Sequence, residues 1–352
     1  MQRSALVTTL KQAEPGLSTK DLIPVLACFC FGDGVVIAYD DVVAIRMKSP
    51  IPQVEGGVRG HILLDFLQTS RADAVEITTT TQGSLEVKAA SAKLELALTP
   101  KEDFVFEAPD TSTATELVLS DTILSAISQC LATMGMDPAH PSRLGVTLHF
   151  ADERCIVFYS SNNYTATRVA CVTDVPETFV GTQLIIPPRF CELLSASKSA
   201  PTRFQVTPDW IVVTFANGVE LFSRTIADPD VPTFEKIFED ADAAFIAMGG
   251  QESPKLLERA LERALVVLPG SIEKRTTFSV EKGLLRLMTT SSVGKAGDLL
   301  KFIGEHKPVR VVSSPDLLKN CLAGMTRIAF TEKCVILKAD ETTTRLIRVF
   351  EA

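Results

Sequence analysis

Ala27-Cys28-Phe29-Cys30-Phe31, Gly32-Asp33-Gly34 and Val35-Val36-Ile37-Ala38-Tyr39 place a short polar turn between two apolar runs, the pattern of a β-hairpin. The pattern returns twice. Val146-Thr147-Leu148-His149-Phe150 and Cys155-Ile156-Val157-Phe158-Tyr159 flank a turn at 151–154, and Thr277-Phe278-Ser279-Val280 and Leu284-Leu285-Arg286-Leu287-Met288 flank Glu281-Lys282-Gly283. The turns centre near residues 33, 152 and 282, so the chain reads as three units of similar size.

Working outward, each hairpin is preceded by a stretch with helical apolar spacing: Leu6, Val7 and Leu10; Ile123, Leu124 and Ile127; Leu256, Leu257, Ala260 and Leu261. Each is followed by a second helix, beginning near Leu63, Phe190 and Leu317. Strand-like segments then close each unit, at 75–79, 84–89 and 94–98, at 204–206, 210–215 and 220–223, and at 327–330, 334–338 and 344–349. The segments 104–116 and 239–253 are rich in small, acidic and turn-forming residues without periodicity, and read as joins. The expected fold class is α+β, with three tandem helix-strand-helix-strand domains at 1–113, 114–241 and 242–352.

The chain has 352 residues, too many for one ordinary core, and its 46% hydrophobic and 22% charged residues are those of a packed protein. A net charge of -8 argues against a surface that binds nucleic acid all over, and leaves room for a locally basic face. The longest uncharged run, 122–136, is shorter than the roughly 20 apolar residues of a membrane span. The N-terminal residues lack a secretory pattern, so a cytoplasmic protein is expected. The eight Cys include no C-x-x-C pair and sit in apolar runs, which predicts buried reduced thiols.

Catalytic patterns are weak. The four His are scattered, and Gly294-Lys295-Ala296-Gly297 lacks the spacing and hydroxyl residue of a phosphate loop and reads as a surface loop. The acid clusters at 40–41, 228–230 and 239–242 read as solvated turns rather than metal ligands. No metal, cofactor or catalytic residue is expected. Positive charge is more informative: Lys255, Arg259 and Arg263 recur every four residues on one helix face, with Arg3, Val7 and Lys11 forming a weaker line on the first helix. A mixed solvated face with acids is the alternative meaning of the stripe.

Three such units in an acidic chain resemble the bacterial DNA polymerase III beta subunit (sliding clamp) family. Local matches support the likeness: Gly34-Val35-Val36-Ile37-Ala38-Tyr39-Asp40-Asp41-Val42 is similar to the family's first-domain hairpin, and Leu144-Gly145-Val146-Thr147-Leu148 to a second-domain strand. Leu221-Phe222-Ser223-Arg224-Thr225-Ile226 with Val231-Pro232-Thr233-Phe234 resembles the end of the family's second domain. Tyr164-Thr165-Ala166-Thr167-Arg168-Val169-Ala170 follows an Asn162-Asn163 insertion, and the C-terminal Arg348-Val349-Phe350-Glu351-Ala352 departs from the family's ending. A divergent clamp, of the kind a phage could carry, has this pattern.

The resemblance implies a non-catalytic processivity factor, two copies joined head to tail around duplex DNA, with helices inside and sheets outside. The DNA-facing residues it implies are Lys11, Lys20, Arg71, Arg189, Lys198, Lys255, Arg259, Arg263 and Lys319, contacting phosphates without reading sequence. The helix at 121–134 carries no Lys or Arg. Leu94 and Leu96 of one copy are expected to meet Val266 and Val267 of the other. DNA polymerase and the clamp loader would dock through short peptides, with a leading Gln and trailing Leu and Phe, in a pocket of Leu144, Arg168, Val169, Pro232, Lys236, Ile237, Leu346, Val349 and Phe350. The alternative is a clamp-like peptide-binding scaffold that no longer encircles DNA, and an enzyme on an unrelated repeat ranks lowest.

Overall fold

The first and third hairpins close through two-residue loops with both residues at positive φ, Asp33 (52°) with Gly34 (73°) and Lys282 (52°) with Gly283 (75°). Such loops match the twist of paired strands, which is why a Gly follows the turn apex in both. The first joins β1 (Cys28–Gly32) to β2 (Val35–Tyr39), and the third joins β16 (Thr276–Glu281) to β17 (Leu284–Thr290). The middle hairpin, β9 (Val146–Asp152) and β10 (Cys155–Ser161), carries a register shift at Cys155/Ile156 instead. The computed structural model describes all residues except 21, 119, 227–237, 239–252, 271–273, 304–306 and 351–352.

Six α-helices among the described residues fall where the periodicity placed them: α1 (Arg3–Ala13), α2 (Gly60–Thr69), α3 (Asp121–Cys130), α4 (Pro188–Ala196), α5 (Ser253–Val266) and α6 (Pro315–Cys321). The described chain divides into two compact units, Met1–Leu119 with Glu192–Thr225, and Ser120–Cys191 with Ile226–Ala352. Each unit therefore draws on more than one sequence repeat.

In the first unit, β1 and β2 are joined by β3 (Val43–Lys48), β4 (Gly56–Arg59), β8 (Thr115–Leu117), β13 (Pro201–Val206), β14 (Trp210–Phe215) and β15 (Glu220–Arg224). Together they form an eight-stranded antiparallel sheet in the order β4-β1-β2-β3-β15-β14-β13-β8. The β3–β15 pairing fuses the first repeat to the closing strands of the second. A separate sheet holds β5 (Glu76–Thr79), β6 (Ser84–Ala89) and β7 (Ala92–Ala97). Helices α1 and α2 pack together, burying Leu6, Leu10, Leu63, Leu64 and Leu67. Arg3, read from the sequence as one end of a weaker basic line on the first helix, donates to the carbonyls of Ala72 (2.7 Å) and Leu67 (2.8 Å) beyond and within α2.

The second unit adds β11 (Thr165–Val172), β12 (Gln183–Ile186), β18 (Lys295–Lys301), β19 (Val309–Ser313), β20 (Arg327–Phe330), β21 (Cys334–Lys338) and β22 (Thr343–Phe350) to its two hairpins. The resulting eleven-stranded sheet has the main path β12-β9-β10-β11-β22-β19-β16-β17-β18, with β20 and β21 joined beside β22. Helices α5 and α6 pack together, and Leu257, Ala260, Leu261 and Leu318 meet Phe278, Leu285 and Leu287 in one core. Of the segment read as a surface loop at 294–297, Gly294 stays in the turn and 295–297 open β18, whose residues pair with β17 in unbroken register from Leu284↔Lys301 to Thr290↔Lys295. Pairing to a strong neighbour overrides the weak strand preference of Gly and Lys. The eight Cys are free thiols, and all but the half-buried Cys155 and Cys334 are buried.

Candidate functional site

Gly145 holds a φ of 78°, and a Cβ there would lie 1.9 Å from the carbonyl oxygen of Ile186. Only glycine fits this approach, and it fixes the entry to β9 immediately after the half-buried Leu144. Behind β10 and β11, Thr133 Oγ1 shares hydrogen bonds of 2.7 Å with Ser160 and Thr167, and Ser160 Oγ donates to the Cys130 carbonyl at 2.9 Å. This buried polar chain ties β10 and β11 to the end of α3.

On β11, Ala166 lies opposite Leu346 of β22. Both belong to a cluster with Tyr159, Phe238, Ala329 and Ile336. The guanidinium of Arg168 stacks over the Phe238 ring at 5.0 Å. Val169 is buried, as is Leu346, while Arg168, Val349 and Phe350 are partly open. Arg275 covers the Phe350 ring at 4.9 Å. Of the expected peptide pocket, Arg168 and Leu346 thus reach one cluster through Phe238, whereas Val169, the next residue on β11, is buried on the opposite face and is not part of it; Pro232, Lys236 and Ile237 lie outside the described residues.

Sequence reasoning missed Arg345, next to Leu346. It is 4% exposed, and its guanidinium donates to the carbonyls of Cys321 (2.8 Å), Ala323 (3.0 Å) and Gln129 (3.2 Å). Burial pushes its pKa below the ordinary arginine value. The thiols nearby stay neutral, Cys130 pushed up to about 12 and Cys321 to about 11 by burial. No pattern in the sequence marks a buried arginine on a strand.

The expected DNA-facing cations divide into two groups. Lys255 and Arg259 stand exposed on α5 opposite the buried Leu257 and Leu261. Arg263, on the same stripe, is held by Asp298 of β18, its Nε 3.1 Å from both carboxylate oxygens and its Nη2 2.5 Å from one. Lys319 of α6 binds Glu262 at 2.8 Å. These two carry their counter-charges with them. In the first unit, Lys11, Lys20, Arg71 and Lys198 are exposed. Lys11 and Lys198 line one cavity of about 530 Å³ over an apolar floor that includes Ile45, Phe215 and Leu221, with no carboxylate in its lining. Arg189 is exposed at the start of α4.

The expected contact residues sit by open sheet edges. Leu94 and Leu96 are half-buried on β7, an outer strand of the three-stranded sheet. In the second unit β18 is an outer strand, Val267 is half-buried, and Val266 is 74% exposed. Met288, Val293 and Leu299, on or near β17 and β18, are exposed too and escaped the sequence reading.

No family model matches the chain, and no curated protein sequence matches it. Solved structures do. The chain is similar to a DNA polymerase sliding clamp from Bacillus subtilis, with a TM-score of 0.85 and 16% identity over 100% of this chain and 98% of the other. It is similar to the beta subunit of DNA polymerase from Streptococcus pyogenes, at 0.84 and 14% over 100% and 99%. It is also similar to a DNA polymerase III subunit beta sliding clamp from Bartonella birtlesii bound to griselimycin, at 0.86 and 12% over 100% and 98%. The fold is that of the sliding clamps, as the three-unit sequence reading expected.

Proposed function

We propose that the chain is a DNA sliding clamp: a non-catalytic, cytoplasmic processivity factor that encircles duplex DNA as a head-to-tail pair and tethers polymerase and other DNA enzymes. The observation that carries this reading is the likeness to sliding clamps along the whole chain, at TM-scores of 0.81 to 0.86 among the solved structures. The domain division at 1–113, 114–241 and 242–352 belongs to the same proposal.

The physical chemistry supports a sliding contact. Long, exposed cations such as Lys11, Lys198, Lys255 and Arg259 can follow phosphates electrostatically while reading no base, so the protein is held without being pinned to a sequence. An acidic chain with basic helix faces keeps the rest of its surface unattractive to DNA. Closure through Leu94 and Leu96 of one copy and Val266 and Val267 of the other would cover the edges of β7 and β18, which otherwise invite irregular pairing. Polymerase and loader peptides would bury apolar anchors near Leu346, under Arg168. An affinity built on few anchors permits exchange between partners.

A second reading, a peptide-binding scaffold that does not encircle DNA, draws on the neutralised Arg263 and Lys319. Retention on nicked circular DNA separates the two. A clamp loaded by its loader stays on the circle through a salt wash and leaves when the circle is cut; a scaffold is washed off both forms alike.

A further inference from the structure

The cluster around Arg168 has an internal counterpart in the first unit. There, Ala44 of β3 lies opposite Phe222 of β15, and Phe222 opposite Val212 of β14. In the second unit, Ala166 of β11 lies opposite Leu346 of β22, and Leu346 opposite Ile336 of β21. Each trio joins a tyrosine, Tyr39 or Tyr159, the fifth residue of its strand, and a phenylalanine from a connecting segment, Phe106 or Phe238. An arginine two residues beyond the alanine stacks on a ring of its own cluster, Arg46 over Phe222 at 5.1 Å and Arg168 over Phe238 at 5.0 Å. The same register makes Trp210↔Arg224 the equivalent of Cys334↔Arg348. One packing scheme is therefore built twice.

The first copy of the scheme is open. Tyr39, Phe106, Trp210 and Arg224 line a cavity of about 330 Å³, with Glu107 also in its lining. Phe106 sits 5.1 Å from Tyr39 and 5.8 Å from Trp210, ring centre to ring centre. The segment 105–109 forms one wall, and among the described residues it makes no backbone hydrogen bond. Its carbonyls, and its N–H groups other than at Pro109, are left without a backbone partner among the described residues, as an added peptide strand requires. Arg46 is neutralised by Glu220 at 2.6 Å. Arg224, by contrast, is exposed, stacks on Trp210 at 4.9 Å, and has no carboxylate partner among the described residues.

We propose that this groove is a second docking site for an extended peptide, one that lays an apolar side chain against the open side of Tyr39, Phe106 and Trp210 and sets an acidic side chain on Arg224. The wall 105–109 supplies backbone pairing, the aromatic rings supply apolar contact, and the exposed guanidinium of Arg224 selects the acid. The inference rests on the peptide-docking reading of the Arg168 cluster, because the duplicated packing is what assigns the groove its occupant.

The chain has a single tryptophan, Trp210, so its emission reports this groove alone. The probe is the acetylated peptide Gln-Leu-Asp-Leu-Phe, titrated against the full chain by calorimetry and by fluorescence. Two peptides should bind per chain, with a saturable change in Trp210 emission. Arg224→Glu should weaken the fluorescent site about tenfold or more, as expected when a charge-assisted hydrogen bond is removed, and Arg224→Gln should fall between. Arg168→Glu should remove the other site and spare the Trp210 response. Circular dichroism should show each variant folded, since both side chains reach solvent. One peptide per chain, abolished by Arg168→Glu and silent at Trp210, overturns this proposal while leaving the first docking site standing. A Trp210 response abolished by Arg168→Glu also overturns it, and no binding at either site overturns both readings.

Discussion

Arg345 and Gln129 are 216 positions apart in sequence, yet the guanidinium of the first donates a 3.2 Å hydrogen bond to the backbone carbonyl of the second. With its bonds to Cys321 and Ala323, Arg345 ties the end of α3 to the end of α6 from a strand that carries Leu346 beside it. Charged hydrogen bonds to carbonyls contribute more than neutral ones, and removing them leaves buried acceptors unsatisfied. Arg345→Met should destabilise the protein by about 3 kcal/mol, measured by urea unfolding, and weaken peptide binding at the Arg168 cluster. Unchanged stability would mean that water replaces the guanidinium at no net cost.

The hairpins and helices were legible because each announces itself locally: Asp33-Gly34 and Lys282-Gly283 supply the positive φ their loops need, and Leu257, Ala260 and Leu261 repeat on one face of α5. Strand β18 was not legible, since its Gly and Lys acquire strand geometry only by pairing with β17. The cationic stripe of α5 was visible, but Asp298, which neutralises Arg263, comes from a strand 35 residues away. Arg345 was hidden for a similar reason. Its three acceptors are main-chain carbonyls, which sequence does not distinguish. The pairing of β3 with β15 likewise joins segments with no local signal of each other.

Closure into a pair should be sensitive to Val266. A side chain that is 74% exposed contributes little to the core of its own unit, so an acid there leaves the fold intact and penalises any apolar surface that covers it. Light scattering should give a dimer for the wild type at micromolar concentration and a monomer for Val266→Asp. Leu299→Asp, on the outer strand β18, should act in the same direction. A monomeric wild type would sink the ring.

Acid should weaken the start of α6. Partial burial pushes the Asp316 carboxyl up, but hydrogen bonds from Ser314 Oγ and Lys274 Nζ, with the Lys274 charge and the Leu317 backbone N–H, outweigh it and hold the pKa below its ordinary 3.8. A carboxyl whose folded pKa is depressed contributes stability that is full above its unfolded value and lost as pH falls through the folded one. Asp316→Asn should therefore lower the melting temperature at pH 7, and the gap to wild type should close as pH falls below about 4. A gap that persists at the acid end would assign the effect to packing rather than charge.

The division among the cations makes the proposed DNA interaction testable residue by residue. Lys255 and Arg259 are exposed on α5, whereas Arg263 is engaged by Asp298 and Lys319 by Glu262. Replacing Lys255 and Arg259 together by Gln should shorten retention on nicked circular DNA and flatten its salt dependence, because each cation withdrawn from a phosphate takes about one counterion out of the exchange. Stability should stay within about 0.5 kcal/mol of wild type, as exposed surface charges contribute little. Arg263→Gln instead leaves the Asp298 carboxylate unpaired beside the same helix, so its effect on retention should arise through added negative charge, and Arg263→Gln with Asp298→Asn should restore most of it. If the Lys255 and Arg259 double variant is retained as long as wild type across the salt series, that face of α5 does not meet DNA.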